Sequence, residues 1–301
     1  MIRFIDRKEI DAGKWDRLIA QSPAETIYAY TWYLDQVADN WSALVLDDYR
    51  FVMPVAWKRK VGMKYIYQPF YTQQLGVFGR EEPDPDVLRK MLKLLYRKFR
   101  FAGMNLNTRN LVGEEKPFEV VDKSNYVLPL DREYNHLFAS FKTNTKRNLK
   151  KSIDLSDLVD KGISVEELVD LKRRNDVIKR SEEDYKWLGE LFDAIISRGE
   201  GKIYAIRTEG RLTAAAFFAF SKARAIYLLS ASSPEGKDRR AMFRIVDTFI
   251  RDNASSGRIL DFEGSNIPSV ARFFIGFGAR AEIYQGVSFN RLPAMLIKKT
   301  K

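Results

Sequence analysis

Apolar residues along this chain fall into two rhythms, one of period two and one of helical spacing, and the places where they switch divide it into elements. Residues 2–5 (IRFI) predict a short opening strand. Residues 14–20 and 31–39 predict two short helices, separated by the break at Ser22-Pro23. Strands are expected at 42–46 and 51–58, with Asp47-Asp48-Tyr49-Arg50 as the hairpin turn, and at 64–68 after Gly62. The segment 69–79 is aromatic, amide-rich and punctuated by glycine. In 86–100, Leu88, Met91, Leu92, Leu95 and Phe99 make one helical stripe, and Arg89, Lys90, Lys93, Arg97 and Lys98 make the opposite face. That basic face reads as solvated. A strand at 104–107 closes the first half.

Residues 118–121 and 126–130 read as paired strands. The second opens the stretch 126–152, which turns at Pro129 and then predicts a single helix. The second half of that helix carries Lys142, Lys146, Arg147, Lys150 and Lys151, with no acid among them. Ser164 and Glu167 form a capping box that starts a helix at Val165. Another helix covers 185–198 and stops at Gly199. Strands at 202–207 and 213–220 flank a Glu209-Gly210 turn, and a third follows at 225–231. Next come a polar loop at 232–240, a helix at 241–252, a strand at 259–262, a helix at 267–277 and a strand at 281–290. The two halves share one order: two helices, three meandering strands, a loop, a helix, a strand. They share little residue identity. The expectation is an α+β chain of two tandem domains, 1–125 and 126–301, joined near 108–140, each a mixed, mostly antiparallel sheet flanked by helices.

Composition sharpens this. Apolar residues make up 45% of the 301 positions, enough for proper cores. The formal net charge is +11, which favours an anionic partner. The chain has no cysteine and one histidine, His136. Thiol chemistry and a histidine-based metal cluster are therefore excluded, and no metal site is expected. The N-terminus is charged from residue 3 and is not a signal peptide, and the most apolar stretch, 212–220, is too short to span a bilayer. A cytoplasmic location is the expectation.

Two motifs carry a family resemblance. The run Tyr126-Val-Leu-Pro-Leu, with 141–152 (FKTNTKRNLKKS) after it, is similar to the strand and "(K/R)xxxRxxxRxA" helix of Fem-type aminoacyl transferases and their GNAT-like relatives. The later runs 260–265 (LDFEGS) and 273–278 (FFIGFG) resemble that group's "DFxGS…FKxxFG" ending. With the doubled order of elements, the resemblance covers nearly the whole chain. It implies two tandem GNAT-like (acyl-CoA N-acyltransferase) domains. It also implies direct transfer of an acyl or aminoacyl group from acyl-CoA or aminoacyl-tRNA, as co-substrate, to an amine on a small molecule, peptide or cell-wall precursor. No heptad run matches the coiled-coil arm of the peptidoglycan branch, which favours the shorter, acetyltransferase-like relatives.

Such a transfer needs the donor's phosphates held, an amine deprotonated and an oxyanion stabilised. The position matching the GNAT pyrophosphate loop is 232–241, with Gly236, Lys237, Arg239 and Arg240. Its glycine spacing is degraded, and Asp238 opposes a phosphate. The basic helix is the second anion candidate. Lys146 and Lys150, like Arg147 and Lys151, lie one turn apart and could hold several phosphates, as on a tRNA. The plainer alternative is a solvated basic helix. Asp261 and Glu263 are candidate bases, while Gly264 and Ser265 suit a turn and cap. Tyr227 and Tyr284 are candidate proton donors. Trp57, Lys58, Tyr71, Gln73 and Gln74 are candidates to line an acceptor cleft between the domains. The alternative to an enzyme is a non-catalytic protein of the same fold that binds RNA or another anionic partner through the basic helix.

Overall fold

The structure, a computed structural model, describes residues 1–113, 116–264 and 267–292. The chain divides into two compact units. Unit 1 takes Met1–Ser124 and the chain from Glu282 onward, and unit 2 takes Asn125–Ala281. The last strand, expected with the C-terminal domain, is thus counted with unit 1 from Glu282, because it pairs there with Phe101–Asn105.

Unit 1 contains β1 (Ile2–Asp6), α1 (Ala12–Ile19), α2 (Thr31–Val37), β2 (Trp41–Leu46), β3 (Phe51–Lys60), β4 (Met63–Ile66), β5 (Phe78–Gly79), α3 (Pro85–Lys98) and β6 (Phe101–Asn105). β7 (Glu119–Pro129) crosses from unit 1 into unit 2. This is one unbroken strand where two paired strands were expected: Asp122, Ser124 and Asn125 are turn-prone types, but the segment stays extended beside β13, where Asp122 accepts from the Gln285 side chain at 3.0 Å. Unit 2 continues with α4 (Tyr134–Ser140), α5 (Thr143–Lys151), β8 (Val159–Asp160), α6 (Val165–Asn175), α7 (Glu182–Ser197), β9 (Gly201–Thr208), β10 (Arg211–Phe220), β11 (Arg224–Ser232), α8 (Pro234–Asp238), α9 (Ala241–Asn253), β12 (Ile259–Asp261) and α10 (Pro268–Gly276). β13 (Arg280–Asn290) returns to unit 1.

Both units repeat one topology. In unit 1, β2, β3 and β4 form an antiparallel meander, and α3 crosses over to β6, which runs parallel to β4. In unit 2, β9, β10 and β11 form the meander, and α9 crosses over to β12, parallel to β11. Parallel neighbours cannot be joined by a tight turn, so a helix must intervene in each case. β13 then pairs β6 antiparallel in unit 1, and the end of β7 pairs β12 antiparallel in unit 2. Each meander is apolar on its helix-facing side. Phe218 stacks on Phe249 of α9 at 3.6 Å in unit 2, while Leu88, Met91, Leu92 and Leu95 of α3 pack the core of unit 1. No helix among the described residues is long and apolar enough to cross a membrane.

The expected single basic helix is two helices. Phe141 and Lys142 are extended, with ψ of 138° and 151°, and break it. The break has a physical cause. The Lys142 N–H donates to the Gly276 carbonyl at 2.9 Å, and a Cβ at Gly276 would overlap Thr145 Oγ1. A Cβ at Gly278 would likewise overlap Ser140 Oγ. The two sequence motifs, over a hundred residues apart, meet here: the glycines of one let the helix start of the other come close.

The other end of α5 is held from α9. Arg244 is buried, and its guanidinium donates to the Leu149 carbonyl at 2.6 Å, to the Ser152 carbonyl at 3.3 Å and to Asp247 at 3.2 Å. It thus satisfies the orphan carbonyls of the last turn and sets a positive charge against the helix's negative end. Asp247, itself buried and shifted upward by that burial, also accepts from the Tyr134 hydroxyl at 2.7 Å.

Replacing Arg244 by Met should cost about 3–5 kcal/mol in chemical denaturation, since it leaves Asp247 with its buried partner gone. Arg244→Met/Asp247→Asn should recover part of that loss. Tyr134 is pushed up to about 12, first by burial and then by its bond to Asp247. A raised value means the folded state keeps its proton longer. The Tyr134 contribution should therefore be intact below about pH 10, the unfolded value, and lost as pH rises toward 12. Alkaline denaturation of Tyr134→Phe should show a shallower decline over that window.

Candidate functional site

In unit 2, β11 and β12 pair only over Arg224–Ile226 and Ile259–Asp261. β11 then runs on to Ser232, still paired with β10, while the chain after Asp261 departs toward α10. One edge of β11 is thereby released just at Tyr227. A pocket of about 640 Å³ lies beside this edge. Its floor is Tyr227, Ser230 and Ser232 of β11. α10 supplies Val270, Phe273 and Phe274 as one wall, and Gly236, Lys237 and Arg240 close another. Asn148 of α5 stands at its border.

The wall of α8 and α9 is built by local sequence. The expected loop at 232–240 contains the short helix α8, capped by Ser233, whose hydroxyl accepts from the Gly236 N–H at 3.2 Å. That N–H is therefore not offered to a ligand. Gly236 is required for another reason: a Cβ there would overlap the Thr213 carbonyl of β10. Arg240 then adopts a left-handed backbone, φ 61°, and α9 begins without a side-chain cap. The Phe243 N–H already donates to the Arg240 carbonyl at 3.0 Å, while the N–H groups of Ala241 and Met242 precede any intrahelical acceptor and carry the positive end of the dipole. Lys237 forms no ion pair among the described residues, and Arg240 donates to the Lys237 carbonyl at 2.7 Å. Arg239 points elsewhere, to Asp154.

Tyr227 is buried against Phe218, Phe262 and Phe274, and burial pushes its phenol well above the usual tyrosine range, against a smaller opposing effect of its bond with Ser230. It stays protonated at neutral pH and keeps a proton to donate. Asp261 is buried and ion-paired to Arg224 at 2.7 Å, and it accepts from the Glu263 N–H at 2.9 Å. Its lone pairs brace the strand end, which is a strut rather than a base. Glu263 is partly exposed and has a left-handed backbone, φ 59°, and its carbonyl accepts from the Tyr126 N–H. Ser265 lies outside the described residues. Tyr284 belongs to unit 1, and Tyr227 to unit 2.

The basic helix divides by flank. With about 100° per residue, Asn144 and Lys151 lie within about 60° of pocket-lining Asn148, and Arg147 stands between Lys151 and Lys150. Lys146 lies across the buried stripe of Thr145 and Leu149; its ammonium donates to the Ala139 carbonyl at 2.9 Å and sits over the Phe138 ring. Lys150 is exposed on the outer face. Lys146, Lys150 and Arg147 follow one another around the helix, but Lys146 is engaged by Ala139 and Phe138 while Lys150 and Arg147 are exposed. Lys151, given only as a partner of Arg147, belongs with the pocket flank.

In unit 1 the corresponding opening is filled by the chain itself. β4 and β6 meet only at Ile66 and Ala102. Beyond that point the Gln68 amide oxygen accepts from the Asn105 N–H at 2.8 Å, the Gln73 carbonyl accepts from the Asn105 side chain at 2.8 Å, and Leu75 bridges to Leu106. Gln74 is buried and donates to Gln73, and the Tyr71 carbonyl accepts from Tyr33. Trp57 donates to Ser42 at 3.1 Å, and Lys58 pairs with Asp39 at 3.1 Å. Adjacent on a strand, Trp57 and Lys58 point to opposite faces. The five acceptor candidates are thus tied into local bonds within unit 1, and 68–77 acts as a plug.

No family model matches the chain, and no curated protein sequence does. Solved structures do. The chain is similar to FemX, with a TM-score of 0.68 at 12% identity over 97% of this chain and 98% of that one. The chain has a tandem GNAT-like, Fem-like fold. It is also similar to a tandem GNAT protein from the clavulanic acid biosynthesis pathway, with a TM-score of 0.57 at 9% identity over 98% and 100%. A third similar structure is the C-terminal domain of a putative lysylphosphatidylglycerol synthetase from Agrobacterium fabrum, with a TM-score of 0.57 at 11% identity over 96% and 94%. This is a fold shared with transferases.

Gly236→Ala should push α8 off β10, destabilising the protein by about 1–3 kcal/mol in denaturant titration, the usual range for overpacking.

Proposed function

We propose that the protein is an N-acyltransferase whose anionic acyl donor binds in unit 2 where β11 and β12 part. The observation that carries this reading is one pocket that joins a released strand edge, an uncapped helix N-terminus, Lys237, Arg240 and a protonated tyrosine. An extended donor arm bearing amides can pair along the free edge of β11. Phosphates suit the start of α9 with Lys237 and Arg240. An acceptor amine attacks the donor carbonyl, a C–N bond forms, and the C–S or C–O bond to the leaving group breaks. Tyr227 is the candidate proton donor to that leaving group, and Glu263 the candidate acceptor of the amine proton. Asp261, Arg239 and Lys146 take structural parts. Acyl-CoA is the donor expected to lie within the pocket itself. Aminoacyl-tRNA would extend onto Arg147 and Lys151 of α5, an exposed pair one turn apart that begins next to Asn148.

Thermal unfolding with acetyl-CoA, desulfo-CoA or bulk tRNA tests this. A ligand at about 100 times its Kd stabilises by roughly 2.7 kcal/mol, a shift of a few degrees. We expect a shift with the CoA compounds that Lys237→Glu/Arg240→Glu abolishes. A shift with tRNA alone, abolished by Arg147→Glu/Lys151→Glu, would assign the aminoacyl donor. No shift with any of them would overturn the reading.

A further inference from the structure

One end of the unit 1 sheet is defined by register. β4 runs parallel to β6 with Ile66 opposite Ala102, so the β3–β4 hairpin tip stands beyond the start of β6. Asn290 of β13 lies opposite Phe101, and the Arg291 N–H donates to the Arg100 carbonyl at 2.7 Å. The C-terminus of α3 leads into the same end. Arg59, Lys60, Lys64, Arg97, Lys98, Arg100 and Arg291 therefore gather at one edge. Arg59, Lys60, Arg97 and Arg100 are exposed and form no ion pair among the described residues. Lys64 and Lys98 lie over the rings of Trp57 and Phe4, and Arg291 over Tyr96. The acids here are few. Asp39 pairs with Lys58, and Glu119 accepts from Ser288. Residues 50–80 and 87–107 contain no Asp or Glu at all and six Lys or Arg each.

The apex of this basic edge is apolar. The hairpin turns on Val61 and Gly62, with φ of 48° and 76°. Positive φ at both central residues is the mark of a type I′ turn, which favours Asn-Gly. A β-branched residue at positive φ is a true outlier. Val61 is strained there and also 88% exposed, so neither turn chemistry nor packing accounts for it. Phe101, 37% exposed, stands at the same end with its ring 6.2 Å from that of Tyr65.

We infer that this edge docks on an anionic lipid bilayer, with Val61 entering the interface and the surrounding Arg and Lys meeting lipid phosphates. An aliphatic apex has no counterpart on a nucleic-acid backbone, whereas a bilayer interface buries apolar side chains to a depth of about 5–10 Å. Positive side chains around it add roughly 1 kcal/mol each near the surface, screened by salt. The inference uses unit 1 alone and stands apart from the proposed activity.

Co-sedimentation of the whole chain with phosphatidylcholine vesicles, with and without phosphatidylglycerol, tests it. The expected result is binding to the anionic vesicles only, weakened by salt. Arg59→Gln and Lys60→Gln should each lower the partition coefficient roughly five-fold. Val61→Asn suits the turn better, so Tm should hold or rise while partition falls about ten-fold. The Val61→Trp variant should show a blue shift of its emission on anionic vesicles, measured against the unsubstituted chain. Absence of vesicle binding, binding indifferent to Val61→Asn, or no such shift in the Val61→Trp variant would overturn the inference. So would RNA binding that Arg59→Gln/Lys60→Gln abolishes in a protein that ignores vesicles.

Discussion

A guanidinium inside a packed helix must find acceptors, and in unit 2 this requirement fixes the geometry of the site. Arg244 lies between the apolar stripe of α9 and the end of α5, and its donors are used on Leu149, Ser152 and Asp247. α9 lines the pocket through Met242 and Phe243, and α5 borders it through Asn148. The same Arg thus relates two elements that β11 alone would not align. Tyr134 and Arg251 complete the charge balance from α4 and from the next turn of α9. Removing Arg244 leaves Asp247 without its buried cation and the Leu149 and Ser152 carbonyls without its donors, which is why such networks hold geometry more strictly than apolar contact does.

The two units show what a parallel crossover offers and how it can be closed. Each carries a pair of parallel strands that meet briefly and then part. In unit 2 the gap stays open and is lined by small and aromatic side chains. In unit 1, Gln68 and Leu75 take up the backbone N–H and carbonyl of Asn105, Gln73 accepts from its side chain, and Leu75 bridges to Leu106. The difference comes from an aromatic, amide-rich segment with no equivalent after β11, where Ser233 instead caps a short helix at once.

Much of the fold was legible because its signals are local. The Ser164–Glu167 box starts α6 where expected, and Glu209-Gly210, with φ of 50° and 77°, turns the β9–β10 hairpin. The order of elements and the two motifs gave the doubled topology. The misreadings were non-local. Nothing in 134–151 announces a break at Phe141, since its cause is Gly276 in another element. Helical spacing rightly put Lys146 and Lys150 on one face, but it could not show that Lys146 would be engaged by Ala139 and Phe138. Gln73 and Gln74 resembled ligand-binding amides because a polar plug and a polar site have the same composition. Arg244 and Asp247 look like an ordinary i,i+3 surface pair. Asp261 looked like a base because its partner, Arg224, is a neighbour only through strand pairing.

The return of β13 to unit 1 bears on how the chain is made. A ribosome delivers residues in order, and unit 2 is one continuous segment, whereas unit 1 needs Gly286–Asn290 to cover β6. While the chain emerges, β6 therefore presents an unpaired edge for the whole time that unit 2 is being synthesised, and exposed strand edges invite misassembly. The charges at its end, Arg97, Lys98 and Arg100, stand where such an edge is ordinarily protected by repulsion. Vectorial folding of this chain is completed last in the unit that begins first.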